Sequence, residues 1–117
     1  MPIVRIYRGS AVANTFIQMV LTCGSWQEAQ RIADHLLEQR LIACAEFIPI
    51  NSAFRWRGSF GENDGIKLVM ESADHLYGAI ETEIAQLHSY ETFVLQTLPI
   101  ERISSGVPGL QREGLRV

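Results

Sequence analysis

The sequence predicts one α+β domain with the element order β-α-β-β-α-β, an antiparallel sheet carrying both helices on one face. Three observations lead there. Phe16-Ile17-Gln18-Met19-Val20-Leu21-Thr22 is an almost continuous apolar, β-branched run, the pattern of a buried central strand. Ala29, Ile32, Ala33, Leu36 and Leu37 then recur at the i, i+3, i+4, i+7, i+8 spacing of one helical face. Two extended segments follow, before a second helix with Leu76, Tyr77, Ile80, Ile84 and Leu87 on one side. A chain of 117 residues is close to the commonest size for one domain.

Each element has its own local signal. Residues 1–14 mix Pro2, Gly9, Ser10 and Asn14 with Ile3-Val4-Arg5-Ile6-Tyr7, which reads equally as an extra edge strand or a loose tail. The domain itself is expected over 15–103, with a carboxy-terminal tail over 104–117. Cys23-Gly24 ends the first strand. Ser25-Trp26-Gln27-Glu28 matches a capping box, and the helix behind it runs to about Arg40. Ile42 to Gly58 is extended, and Pro49 makes it an edge strand or a bulged one. Phe54 and Trp56 alternate with Arg55 and Arg57, so both arginines are expected on one strand face. The glycine-rich stretch 58–65 reads as the turn of a hairpin, with Ile66 to Glu71 returning as a strand. Ser72 or Asp74 is expected to cap the second helix, which ends near His88. Thr92 to Leu98 is β-rich and Pro99 stops it. Residues 100–117 show no amphipathic period, so a short strand and a tail are expected.

This order is the ferredoxin-like arrangement, in which right-handed crossovers put the first strand in the middle. Cys23 and Cys44 then fall at opposite ends of strands about 20 Å long, too far apart to bridge. Cys44 reads as a core residue. The sheet face away from the helices lacks cover, and self-association would supply it.

Composition narrows the function. Ten Lys plus Arg against 13 Asp plus Glu give a net charge of -3, which excludes a general nucleic-acid binder. Nine of the ten basic residues are Arg, the side chain suited to bidentate contacts and subunit seams. Two cysteines are too few for a disulfide scaffold. No apolar run approaches the roughly 20 residues of a membrane span, and the amino terminus lacks a signal-peptide core. The expectation is a soluble cytoplasmic protein with no membrane partner.

The loop after the first strand carries one cysteine, not the Cys-x-x-Cys of a soft-metal chaperone, and no phosphate-binding Arg. No Gly-rich phosphate loop, nucleophile elbow or zinc-spaced Cys/His set occurs, so an enzyme is not expected. Cys23 precedes a helix amino terminus, where it is either a small buried hydrophobe or a dipole-stabilised thiolate. His88, with Tyr90 and Glu91 close behind, is either a helix cap or a metal-binding and acid-base group. Arg55 and Arg57 suit an anion or an acidic neighbouring subunit.

Several stretches together resemble the CutA family of divalent-cation tolerance proteins. They are Val20-Leu21-Thr22-Cys23, Ala29-Gln30-Arg31-Ile32-Ala33, Leu41-Ile42-Ala43-Cys44-Ala45 with Ile48-Pro49, Ser52-Ala53-Phe54-Arg55-Trp56-Arg57-Gly58, Leu87-His88-Ser89-Tyr90-Glu91 and Leu98-Pro99-Ile100. The resemblance spans about residues 16–100. It implies a homotrimer of PII-like architecture that binds a divalent cation, copper first, at Cys23, His88 and Glu91. It also implies a pocket between subunits containing Arg55, Trp56, Arg57 and Tyr90. The alternative is a PII-like signalling module that takes a small anion or nucleotide in that cleft. Five positions depart from the family pattern. Ser89, Phe93 and Val94 replace two prolines and a glutamate, Glu71 stands for a lysine, and Gly65 for a glutamate. The family's carboxy-terminal helix is not visible in the sequence.

Overall fold

The computed structural model describes residues 15–116; the reading of 1–14 as strand or tail lies outside them. Strand β1 (Phe16–Cys23) leads into helix α1 (Trp26–Glu38), followed by β2 (Cys44–Trp56) and β3 (Ser59–Ala73). A 3-10 turn (Asp74–Leu76) opens helix α2 (Tyr77–Leu87), then come β4 (Leu95–Pro99) and a helix α3 (Val107–Gly114). The four strands form an antiparallel sheet in the order β2-β3-β1-β4, so the apolar first strand is internal, as its composition requires. Ile17, Met19, Leu21 and Cys23 alternate toward the core, where they meet Ile32 and Leu36 of α1 and Ile80 and Ile84 of α2. Pro49 sits in β2, an edge strand of this chain.

The end of α1 is a Schellman motif built with arginine in place of glycine. Arg40 adopts a left-handed φ of 58°, and the N–H groups of Arg40 and Leu41 donate to the Leu37 and Leu36 carbonyls at 3.0 and 2.9 Å. Leu41, fully buried, is thereby aimed into the core.

The hairpin is longer than its glycines suggest. Its turn is only Arg57-Gly58, with φ of 50° and 83°, the doubly positive geometry of a two-residue type I′ connection. Ser59 to Gly65, expected as loop, continues the strand in register with β2. The glycines there make room: a Cβ on Gly61 would stand 2.4 Å from the Phe54 ring. Because Arg57 lies in the turn, it does not share a strand face with Arg55.

Three further expectations are corrected. Neither Ser72 nor Asp74 caps α2: Ser72 belongs to β3 and donates to the Leu41 carbonyl at 2.6 Å, and no side chain caps the 3-10 turn. Cys44 is exposed, because it starts β2 on the face turned from the helices. Residues 104–117 are not a tail after a short strand, since Val107–Gly114 is helical. Pro108, Gly109 and Gly114 hide that helix in the sequence, and tertiary contacts hold it. Leu115 enters the core, the Arg40 guanidinium donates to the Glu113 carbonyl, and Gln111 and Arg112 reach Glu71 and Phe16. Glu71 and Phe16 are out of phase with the core-facing positions of their strands, so α3 partly covers the second sheet face.

Candidate functional site

Where β1 passes into α1, Cys23 ends the strand and Ser25 caps the helix, its hydroxyl accepting the Glu28 N–H at 3.1 Å. The other half of the expected capping box is altered. Glu28 accepts from the Gly24 N–H at 2.9 Å and, across the fold, from the Ser89 N–H at 2.6 Å. This glutamate is 4% exposed and ties the start of α1 to the chain leaving α2. Burial alone would raise its carboxyl pKa. Hydrogen bonds from Ser89 and the Gly24 N–H, with His88 nearby, outweigh burial and hold it below the usual value.

His88 ends α2 with its side chain fully buried. Its Nδ1 accepts the Tyr90 N–H at 3.0 Å, so that nitrogen is unprotonated, and Nε2–H donates to the Thr22 carbonyl at 2.8 Å. The ring contacts Tyr90 in a tilted arrangement and Phe93 in a stacked one, at centroid distances of 4.7 and 5.5 Å. Cys23 Sγ, a Glu28 carboxylate oxygen and a His88 ring nitrogen all fall within 4.8 Å of one another. Thiol, imidazole and carboxylate are a donor set for a borderline or soft divalent cation.

The group is closed, however. The His88 nitrogens are both engaged, and Cys23 is a thiol and not the dipole-stabilised thiolate considered from sequence. Burial first, and the Glu28 charge second, push its pKa up to about 12, against a small opposing effect from Arg31. Burial, then Glu71 and Glu46, also push the exposed Cys44 thiol up.

Of the three metal ligands expected from sequence, Cys23 and His88 come together, whereas Glu91 does not join them. Glu28 takes its place. The sequence marks Glu28 as a capping residue; its second contact, to Ser89 61 positions away, carries no local signal.

The other expected residues meet in a neighbouring cleft of about 680 Å³, whose walls include Arg55, Trp56, Arg57, Tyr90 and Glu91. The same lining reaches Thr22 and Cys23, so the cleft abuts the donor group. Trp56 is 57% exposed, with the Arg57 guanidinium 5.4 Å from its ring, while Arg55 lies 4.2 Å over Phe60. Asn63, unmarked in the sequence, donates to the Tyr90 hydroxyl at 3.2 Å. Among the described residues no helix is long and apolar enough to cross a membrane.

Residues 17–107 match the family model described as CutA1 divalent ion tolerance protein. The divalent-cation tolerance protein CutA of Archaeoglobus fulgidus is 34% identical over 82 residues, covering 70% of this chain and 80% of that protein. Its namesake from Thermus thermophilus is 30% identical over 83 residues, covering 70% and 81%. The solved structure of the periplasmic divalent cation tolerance protein CutA from Archaeoglobus fulgidus has a TM-score of 0.84 at 29% identity. It covers 86% of this chain and 99% of that one.

Proposed function

The chain belongs to the CutA1 divalent ion tolerance family, and on that premise we propose that it serves divalent-cation tolerance by binding the cation, without catalysis, as a cytoplasmic homotrimer. One observation carries this reading: Cys23, Glu28 and His88 bring three different donor types within 4.8 Å in a buried group. Copper is the foremost candidate, since thiol and imidazole ligands favour it over magnesium or calcium. Cys23 must lose its proton to bind, so affinity rises with pH and loading releases protons. The trimer is supported by what one chain leaves uncovered. Residues 51–65 of the hairpin extend beyond β1, and they carry Phe54, Trp56 and Phe60 at 44%, 57% and 79% exposure.

Calorimetric titration of copper or zinc into the metal-free protein and into Cys23→Ser, Glu28→Gln and His88→Ala variants tests the cation role. The expected result is at least tenfold weaker binding in each variant. Equal, micromolar-or-weaker binding in all four proteins removes it. A sedimentation mass near that of one chain refutes the trimer.

The cleft favours a second reading, a PII-like signalling module for a small anion or nucleotide. Arg55 and Arg57 are both in its wall, beside the aromatic face of Trp56. A thermal-shift screen with nucleotides and organic acids separates the two, because a ligand at 100 times its dissociation constant stabilises by about 2.7 kcal/mol.

A further inference from the structure

One side chain touches both the donor group and the cleft: Tyr90 bonds to His88 and lines the cleft beside Cys23. Tyr90 is fixed at three points: its N–H donates to His88 Nδ1, its ring lies on the imidazole, and its hydroxyl accepts from Asn63. Room for the ring exists because residue 24 is glycine; a Cβ there would stand 3.3 Å from the Tyr90 hydroxyl oxygen. Tyr90 thus packs beside the backbone at Cys23-Gly24 and against His88 at once.

The residues around it are anchored separately. Ser89 N–H is held by the buried Glu28 carboxylate at 2.6 Å, and Phe93 stacks on the His88 ring. Between these fixed points lie only Tyr90, Glu91 and Thr92, of which the last two are exposed. The Asn63–Tyr90 bond is also at the surface, where water takes its place when the ring moves.

We propose that Tyr90–Thr92 is a gate hinged between Ser89 and Phe93, and that it admits a divalent cation from the cleft to Cys23, Glu28 and His88. The inference rests on the cation-binding reading of that group. Closed, the gate occupies the lone pair of His88 Nδ1 and separates the Cys23 thiol from solvent. Open, it withdraws the Tyr90 N–H from Nδ1 and exposes the thiol to the cleft, whose lining includes residue 23. Glu28 keeps its bond to Ser89 in both states, so the hinge stays attached while the gate moves.

The test reads opening through Cys23 itself. In a Cys44→Ser background the buried Cys23 is the remaining thiol, and its rate of reaction with a neutral disulfide reagent reports local opening. Asn63→Ala and Tyr90→Phe each delete the hydroxyl anchor and are expected to speed labelling about fivefold, the worth of one neutral hydrogen bond. Tyr90→Ala removes the ring as well and is expected to exceed both. Asn63 is an exposed residue, so its variant keeps the test valid if Tyr90→Ala fails to fold. Unchanged labelling in Asn63→Ala and Tyr90→Phe overturns the gate. Zinc(II) titration of Cys23→Ser and His88→Ala is the separate arm. If both bind zinc as the parent does, the donor assignment falls, whereas weakened binding with unchanged labelling removes the gate alone.

Discussion

Gly65 and Cys23 lie so close that a Cβ at residue 65 would stand 2.5 Å from the Cys23 carbonyl oxygen. The obstacle is backbone at the paired end of β1, so it cannot move aside as a side-chain tip would. Gly65→Ala is therefore expected to destabilise the fold by about 1–3 kcal/mol, the usual cost of overpacking. A urea unfolding midpoint unchanged from that of the parent would contradict this contact.

The hairpin turn gives the opposite sign. Arg57 holds a left-handed φ of 50° next to Gly58 at 83°. Arg57→Gly or Arg57→Asn relieves a side-chain penalty of about 1 kcal/mol, and is expected to raise the melting temperature. Gly58→Ala is expected to lower it by a similar energy, and differential scanning calorimetry reads both.

Arg40 combines a backbone cost with a side-chain benefit. Its left-handed φ of 58° would suit glycine, yet its guanidinium donates to the Glu113 and Leu115 carbonyls. Arg40→Gly loses the tether but relieves the backbone, while Arg40→Ala loses the tether and keeps the strain. Alanine is therefore expected to be less stable than glycine by about 1 kcal/mol. In both variants the Leu115 and Arg116 amides, bonded to Gln111 and Arg40 carbonyls, are expected to exchange faster with deuterium.

Glu28 sets an acid limit. Its folded-state pKa lies below the ordinary 4.5, so its stabilisation is complete above that value and is lost as pH falls through the folded-state pKa. Glu28→Gln replaces an acceptor oxygen with an amide donor facing the Gly24 or Ser89 N–H, at a cost of about 1–3 kcal/mol near neutral pH. The parent and variant stabilities are expected to converge as pH falls through the lowered folded-state pKa of Glu28. A constant difference across a pH series of denaturant curves would disprove the role assigned to this carboxylate.

The sequence disclosed whatever is periodic or local. The β1 run, the α1 face and Pro49 in an edge strand follow from patterns within about ten residues, and the central place of β1 follows from right-handed crossovers. The hairpin misled because Gly61 and Gly65 read as turn residues, whereas they clear space for the Phe54 ring and the Cys23 backbone. Helix α3 was hidden because eight residues interrupted by Pro108 and Gly109 have little intrinsic preference to be helical. In the site, Cys23 and His88 were legible by residue type. Glu28 and Asn63 were not, because their partners Ser89 and Tyr90 lie 61 and 27 positions away.

Leu115, buried beside the core and followed by the Arg116-to-Arg40 backbone bond, makes the segment after α3 a stopper. A truncation after Gly106 would take Leu115 out of the core, and a fusion joined tightly at Arg116 would pull on the same plug. Reporter tags on this protein therefore belong after a flexible spacer, because removing residues 107–116 edits the interior.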